Sequence, residues 1–494
     1  MSLAVKTTKG VAWSASSQVA RQLLQFGITA ILARLLTPAD FGLIGMVVVI
    51  TGFLGLFAEL GFGPALVQRK ELTDEHIVTA FWVSLLSGVA LMLLTMLAAP
   101  ATGAFYNDSS LVSITLALAF FFPLNALGVV QRSLLQRQLD FHKVAVIDNV
   151  SLTVSGAVAV GFALKGFGVW SLVAQGLAGA LVSSLIAWMM VSLPPLRRSG
   201  FRRETFNELF QFSSHLVGYD LLNYFARNLD NLLIGKFLGA GPLGYYSLAY
   251  RLMMSPLFNV SRVLGRVLFP AFSQIQDDRA KVRDGYLRAI RFISLATFPM
   301  MAGLLVVAPE LIRVVYGPRW ERAAFLVRVL APVGALQSIG VTVGPICLSQ
   351  GRSDVLLKWG LVSVPTVCLA IIVGLRWDIE GVAVWYAGAS LSLWYVSHCI
   401  ANRLIELRMG EFIVALMPTA LAATVMAVVL VAARRSLGPS LAMSDWQFLV
   451  AQVVAGAAIY FVTLLLVRPE WVQEFFGLAK MLTERTPKLE QGEP

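Results

Sequence analysis

Ser14, Gln18, Arg21, Gln25 and Thr29 recur through one hydrophobic stretch at steps of four, three, four and four. On an α-helix this spacing puts all five on one face, with a cation among neutral polar groups. A second stretch carries Asp220, Asn223, Arg227 and Asn231, with Asp230 alongside. A third carries Arg251, Ser255, Asn259, Arg262 and Arg266. Glu59 and Asp148 are solitary acids in otherwise apolar stretches. Arginine grips phosphate through paired N–H donors, and amides and hydroxyls suit sugar hydroxyls. The expected lumen-facing binding residues are Gln18, Arg21, Gln25, Asn223, Arg227, Asn259, Arg262 and Arg266. Glu59, Asp148, Asp220 and Asp230 are candidates for proton or sodium coupling. Neither a metal nor any other cofactor is expected: His76, His142, His215 and His398 are scattered, and Cys347, Cys368 and Cys399 form no CxxC pair.

The surrounding chain must hold these stripes in a bilayer. Of its 494 residues 57% are hydrophobic and 14% charged, and the mean hydropathy is +0.75. Soluble domains carry roughly 25% charged residues. The expected class is an all-α polytopic membrane protein of about fourteen spans, at roughly 20 apolar residues each. They are read at 11–36, 41–63, 77–100, 111–135, 143–164, 167–193, 210–238, 241–272, 289–316, 321–349, 355–376, 379–402, 412–434 and 446–467. No loop between them is long enough for a soluble domain. The first run contains Arg21 and Arg34, too polar for a signal peptide, and is expected to stay as a span.

The net charge of +11 would suggest nucleic acid in a soluble protein. Here the basic residues fall in short gaps between apolar runs, so they are read as topology signals and no nucleic-acid partner is expected. With the N-terminus inside, roughly 24 basic residues fall on the cytoplasmic side and roughly 7 on the other. Both termini are therefore expected in the cytoplasm. Ser199–Phe212 and Trp471–Leu482 mix basic and aromatic residues and are read as helices lying on the membrane surface.

The chain also repeats weakly. An offset of 202 places Ala33-Arg34-Leu35-Leu36 on Gly235-Lys236-Phe237-Leu238 and Gly42 on Gly244. Further on, an offset of 206 places Pro64-Ala65 on Pro270-Ala271, and Gly168-Val169 falls on Gly381-Val382. In the first register Gln18 meets Asp220, Arg21 meets Asn223, Gln25 meets Arg227 and Thr29 meets Asn231. The expected plan is an N-terminal six-helix lobe (1–193), a cytoplasmic interfacial linker (194–212) and a second six-helix lobe (213–402). Two additional spans (403–467) and a cytoplasmic tail (468–494) follow. An ionised side chain at mid-bilayer costs at least roughly 2.5–3.5 kcal/mol, so the stripes are expected to face a hydrated interior. Arginines outnumber acids there, which suits an anionic substrate.

Several segments resemble a known family. Leu36-Thr37-Pro38-Ala39-Asp40-Phe41-Gly42 and Leu229-Asp230-Asn231-Leu232-Leu233-Ile234-Gly235 are similar to stretches of the Wzx-type polysaccharide flippases. So are Tyr316-Gly317-Pro318-Arg319-Trp320 and Gln350-Gly351-Arg352-Ser353-Asp354. These flippases belong to the multidrug/oligosaccharidyl-lipid/polysaccharide exporter (MOP) superfamily, and the likeness is to the branch of colanic acid and succinoglycan exporters. The resemblance implies two six-helix lobes around a V-shaped cavity. It implies alternating access that moves undecaprenyl-pyrophosphate-linked oligosaccharide units across the bacterial inner membrane for exopolysaccharide or lipopolysaccharide synthesis. No enzymatic step is expected. Partners would be the lipid-linked oligosaccharide, membrane lipids, and a polysaccharide polymerase with its co-polymerase. A drug/cation antiporter of the same superfamily would want an acidic lumen. A polysaccharide polymerase would want a large loop domain or an acidic metal motif.

Overall fold

The computed structural model describes residues 3–56, 63, 66–67, 72–195, 224, 228–437 and 444–471, apart from the side chains of 3–17, 19, 256–267 and 437. Every regular element among them is helical. In order they are α1 Leu3–Leu35, α2 Pro38–Gly55, α3 Asp74–Tyr106, α4 Ser110–Ala119, α5 Phe121–Arg137, α6 Phe141–Leu164, α7 Trp170–Met190 and α8 228–238. Then come α9 Ala240–Gln274, α10 Arg279–Leu311, α11 Glu321–Gly340, α12 Val343–Ser349, α13 Ser353–Gly374, α14 Asp378–Leu404, α15 Met409–Leu437 and α16 Asp445–Val467.

Ten helical segments among the described residues are long and apolar enough to cross a membrane. One of them, Ser353–Leu404, has 52 residues. Fully helical, it would run about 78 Å, more than twice a hydrocarbon core of about 30 Å. It breaks at the 3₁₀ turn Leu375–Trp377 into α13 and α14, enough for two crossings. The chain is a multi-pass membrane protein. It divides into two compact units, Met1–Gly244 and Tyr245–Pro494.

In the first unit α1 packs on α6, α6 on α7, α7 on α5 and α5 on α3. Ile28, Leu32 and Leu36 of α1 close on Ala159 and Ala163 of α6. Gly156 makes that approach possible, since a Cβ there would stand 2.3 Å from Ile28 Cδ1. The turn between α1 and α2 explains a whole motif. Thr37 caps α2, with its Oγ1 accepting from the Asp40 N–H at 3.3 Å, while the Asp40 carboxylate accepts from the Thr37 N–H at 2.8 Å. Pro38 occupies the first turn, where no N–H is needed. Gly42 then lets the start of α9 touch backbone to backbone, because a Cβ would lie 1.7 Å from the Ala240 oxygen. A Cβ on Gly244 would lie 1.9 Å from the Pro38 oxygen. Pro38 and Ala240 are separated by the same 202 positions as Gly42 and Gly244, so this contact exchanges with itself under the offset seen in the sequence.

In the second unit α10 is the hub, packing on α11, α15 and α16. Three neighbouring positions pin three helices. Ser294 Oγ accepts from Thr419 at 3.0 Å, the Leu295 oxygen accepts from Tyr460 Oη at 3.0 Å, and Thr297 bonds Ser338 at 2.8 Å. Around them lie Val306, Ala422, Met426, Leu430 and Leu464.

α10 starts ten residues before the position read from hydropathy, at Arg279 instead of 289. Val282, Tyr286, Ala289 and Ile290 form a buried helical line beneath the basic residues, and Asp278 caps the end by accepting from the Lys281 N–H at 3.1 Å. That N–H and the Lys281 ammonium hold the Asp278 carboxyl below its usual range. Arg279, Lys281, Arg283, Arg288 and Arg291 therefore lie on a helix and not in a loop. The segment Ser199–Phe212, and Trp471–Leu482 beyond Trp471, lie outside the described residues.

The glycine contact gives a test. Gly42→Val should destabilise the protein by about 3 kcal/mol, the upper end of ordinary overpacking costs, seen as lost monodisperse material and a lower melting temperature. Gly161→Ala, whose Cβ would meet nothing within 4 Å, should stay within about 1 kcal/mol of wild type.

Candidate functional site

α1 and α6 run parallel, touching at Ile28 and Gly156. About two turns toward both N-termini, Arg21 of α1 meets Asp148 of α6: Arg21 Nη1 donates to Asp148 Oδ2 at 2.9 Å. α5 and α6 are joined by a short turn around 138–140, where Asp140 caps α6 by accepting from the Lys143 N–H at 3.2 Å. Arg132 and Asp148 lie at similar distances on either side of this turn, and Arg132 Nη2 donates to Asp148 Oδ1. One carboxylate thus bridges two guanidinium groups from three helices. Its side chain is 22% exposed, against 46% for Arg21 and 30% for Arg132.

The trio keeps one net positive charge. The shared carboxylate orients both arginines. Arg21 uses one N–H group on Asp148, and its side chain is 46% exposed. This arrangement can accept an anion with several oxygen acceptors.

The other sequence candidates are placed as follows. Gln18 and Gln25 are exposed on α1, and Gln25 Nε2 donates to Thr29 Oγ1 at 3.4 Å. Asp148, read as a solitary acid, is the bridged carboxylate, so Arg21 and Asp148 come together. Asp230 on α8 is 8% exposed, and its Oδ1 accepts from the Asn231 N–H at 2.8 Å. Asn259, Arg262 and Arg266 lie on α9, with side chains outside the described residues. Glu59, Asp220, Asn223 and Arg227 also lie outside them. Lys236 ends α8 by donating to the Phe105 oxygen, with its ammonium 5.1 Å from the Phe105 ring centre.

The sequence profile of a family described as "Polysaccharide biosynthesis protein" matches residues 31–325. The chain belongs to this family. It is 28% identical to the lipopolysaccharide biosynthesis protein WzxC of Escherichia coli (strain K12) over 76% of each chain. It is also 28% identical to the succinoglycan biosynthesis transport protein ExoT of Rhizobium meliloti (strain 1021) over 72% of each. Among solved structures, the lipid II flippase MurJ in an inward closed conformation matches with a TM-score of 0.74 at 13% identity, covering 93% of this chain and all of that one. An inward-facing multidrug resistance MATE family transporter of the MOP superfamily matches with a TM-score of 0.64 at 15% identity, covering 78% of this chain and 94% of that one. The fold is thus that of the MOP transporters. Because a drug transporter shares it, fold alone does not choose the substrate.

Arg132, one of the roughly 24 basic residues read as cytoplasmic topology signals, was not among the expected site residues. Its mirror position to Asp148 across a tight helical hairpin was the available signal. Nor was Glu310 among them, 7% exposed on α10, whose Oε1 accepts from Arg434 Nη2 of α15 at 2.8 Å. Arg313, in the turn Ile312–Tyr316 just past α10, lies 3.7 Å from Asp445 at the start of α16, so these ion pairs tie the last two helices to α10 and the turn that follows it. No local spacing announces them.

The bridge predicts non-additivity. In a double-mutant cycle of Arg132→Ala and Asp148→Ala, thermal unfolding should show a coupling on the order of 1 kcal/mol or more. Simple additivity would mean that the contact contributes nothing.

Proposed function

We propose that the protein is a flippase for undecaprenyl-pyrophosphate-linked oligosaccharide units, carrying them from the cytoplasmic to the periplasmic face of the bacterial inner membrane for exopolysaccharide or other surface-polysaccharide synthesis. The observation that carries this reading is the Arg21–Asp148–Arg132 bridge, an anion-accepting group within the helices of a MOP transporter fold. Family membership supports it, as do relatives named for lipopolysaccharide biosynthesis and succinoglycan transport and a structural neighbour named as a lipid II flippase.

In this reading the lipid's diphosphate takes the free donors of Arg21 and competes with Asp148 for the guanidinium groups. Gln18 and Gln25, with Asn223 and Asn259, bond the sugar hydroxyls. Arg227, Arg262 and Arg266 extend the cationic path by their helical spacing. Asp148 couples substrate occupancy to charge, and Glu59, Asp220 and Asp230 are the further coupling candidates. The lobes follow the repeat, 1–193 and 213–402 about the linker 194–212, with spans in 403–467 and both termini in the cytoplasm. Transport is by alternating access, with delivery to a polymerase and co-polymerase.

A drug/cation antiporter is the second reading, because the MATE transporter shares the fold. It needs a carboxylate open to cations. Asp148 is neutralised by two arginines, which favours the anionic substrate.

The test is polymer export in cells whose own copy is deleted, at matched membrane levels of protein. A lost hydrogen bond to a charged group is worth about 1.5–3 kcal/mol, so Arg21→Ala should cut export by about 10-fold to 100-fold. Arg21→Lys, which keeps the charge and loses the fork, should recover part of it. Resistance to cationic drugs should not change. Undiminished export by both Arg21→Ala and Arg132→Ala would remove the diphosphate grip.

A further inference from the structure

A cationic groove lies in the second unit. Arg288, Arg291, Phe292 and Leu295 of α10 and Trp471, just beyond the end of α16, line a shallow, open-sided groove. The Arg291 guanidinium sits 5.1 Å from the centre of the Trp471 ring. Neither Arg288 nor Arg291 forms an ion pair among the described residues. The Nε of Arg291 is buried with no hydrogen-bond partner, an arrangement that calls for an acceptor. The nearest acid on the same helix, Asp284, lies 3.9 Å from Arg283, and Glu470 is exposed to solvent.

The frame of this groove is fixed. Tyr460 Oη bonds the Leu295 oxygen at 3.0 Å, and Leu464 packs in the same cluster as Leu295. The Arg468 N–H donates to the Leu464 oxygen at 2.8 Å and the Trp471 N–H to the Arg468 oxygen at 3.2 Å, which carries the indole back against α10. The level along α10 matters as well. Arg279, Lys281 and Arg283 precede the groove, and the apolar residues Ile293 to Ala308 follow it. Arginine and tryptophan at such a boundary mark the headgroup zone of a bilayer.

We propose that this groove binds the phosphate of an anionic phospholipid. The two guanidinium groups take the phosphate oxygens, Trp471 walls the site, and Phe292 and Leu295 receive the glycerol and the first acyl carbons. Its test does not depend on transport.

The experiment uses the purified full-length protein in nanodiscs of phosphatidylcholine, with or without phosphatidylglycerol, and a third arm with inorganic phosphate added to phosphatidylcholine discs. Wild type should melt higher with phosphatidylglycerol than in either other arm, and native mass spectrometry should show retained phosphatidylglycerol. Arg288→Ala/Arg291→Ala should lose most of the rise and the most tightly retained lipid. If that variant does not fold, Arg288→Glu, at an exposed position, should show the same loss. An unchanged phosphatidylglycerol response in the variants would overturn the site. A rise with inorganic phosphate as large as with the lipid would overturn the lipid assignment. A variant that melts lower by the same amount in all three arms would make the Arg291–Trp471 contact a structural anchor only, and would also overturn it.

Discussion

Hydrocarbon offers no hydrogen bonds and no ionic screening, so every polar group of a spanning helix needs a partner in the protein or access to water. Many features of this structure answer that constraint. Thr51, Thr95 and Thr297 return their hydroxyls to carbonyls one turn back, at 3.0, 2.7 and 2.8 Å. Trp188 Nε1 donates to the Leu127 oxygen at 2.8 Å. Lys236 finishes α3, and Arg434 meets Glu310. A different group stands on α1, where Gln18, Arg21 and Gln25 share one face and are exposed. Their exposure in so apolar a chain is best explained by water or substrate.

The same constraint made the spans legible in the sequence, because hydrocarbon thickness sets their length. What hydropathy could not show was where helices continue beyond the apolar run. α10 extends through Arg279–Arg291 because one line of its surface is buried, and a mean over all faces hides that line. The break at Phe120 between α4 and α5 has a local cause, because Pro123 lacks the N–H that would bond the Ala119 oxygen. The segments that resemble the flippase family proved informative in a different way. Thr37, Pro38, Asp40 and Gly42 build a cap and a close helix contact. Arg352 and Asp354 form a paired hydrogen bond at 2.8 and 3.1 Å beside a turn. These motifs encode how helices are joined and say little about cargo.

The site was half legible. Helical spacing exposed the stripe on α1, since period and polarity are local properties. The partner of Arg21 is 127 residues away, and only the packing of α1 on α6 decides that they meet. Arg132 was misread for a related reason. A basic residue near a helix end serves topology and chemistry equally well, and only its contact with Asp148 separates the two. α9 shows the opposite case: its stripe is clear in the sequence, while the orientation of Asn259, Arg262 and Arg266 remains a matter of spacing.

The bridge also bears on how a carrier of anions could let go of its cargo. In the proposed cycle a bare Arg21 guanidinium within an empty carrier would carry an unpaired-charge cost of several kcal/mol, and would bind a diphosphate too tightly to release it. In that cycle Asp148 would remove the first problem by pairing it, and ease the second by competing. In the proposed cycle the empty and loaded states are both satisfied, the first by the carboxylate and the second by the phosphate oxygens. The costly state is the one with neither. A carboxylate that is only 22% exposed and held from two sides suits that role better than a mobile surface acid, because it returns to the same two donors each time the substrate leaves.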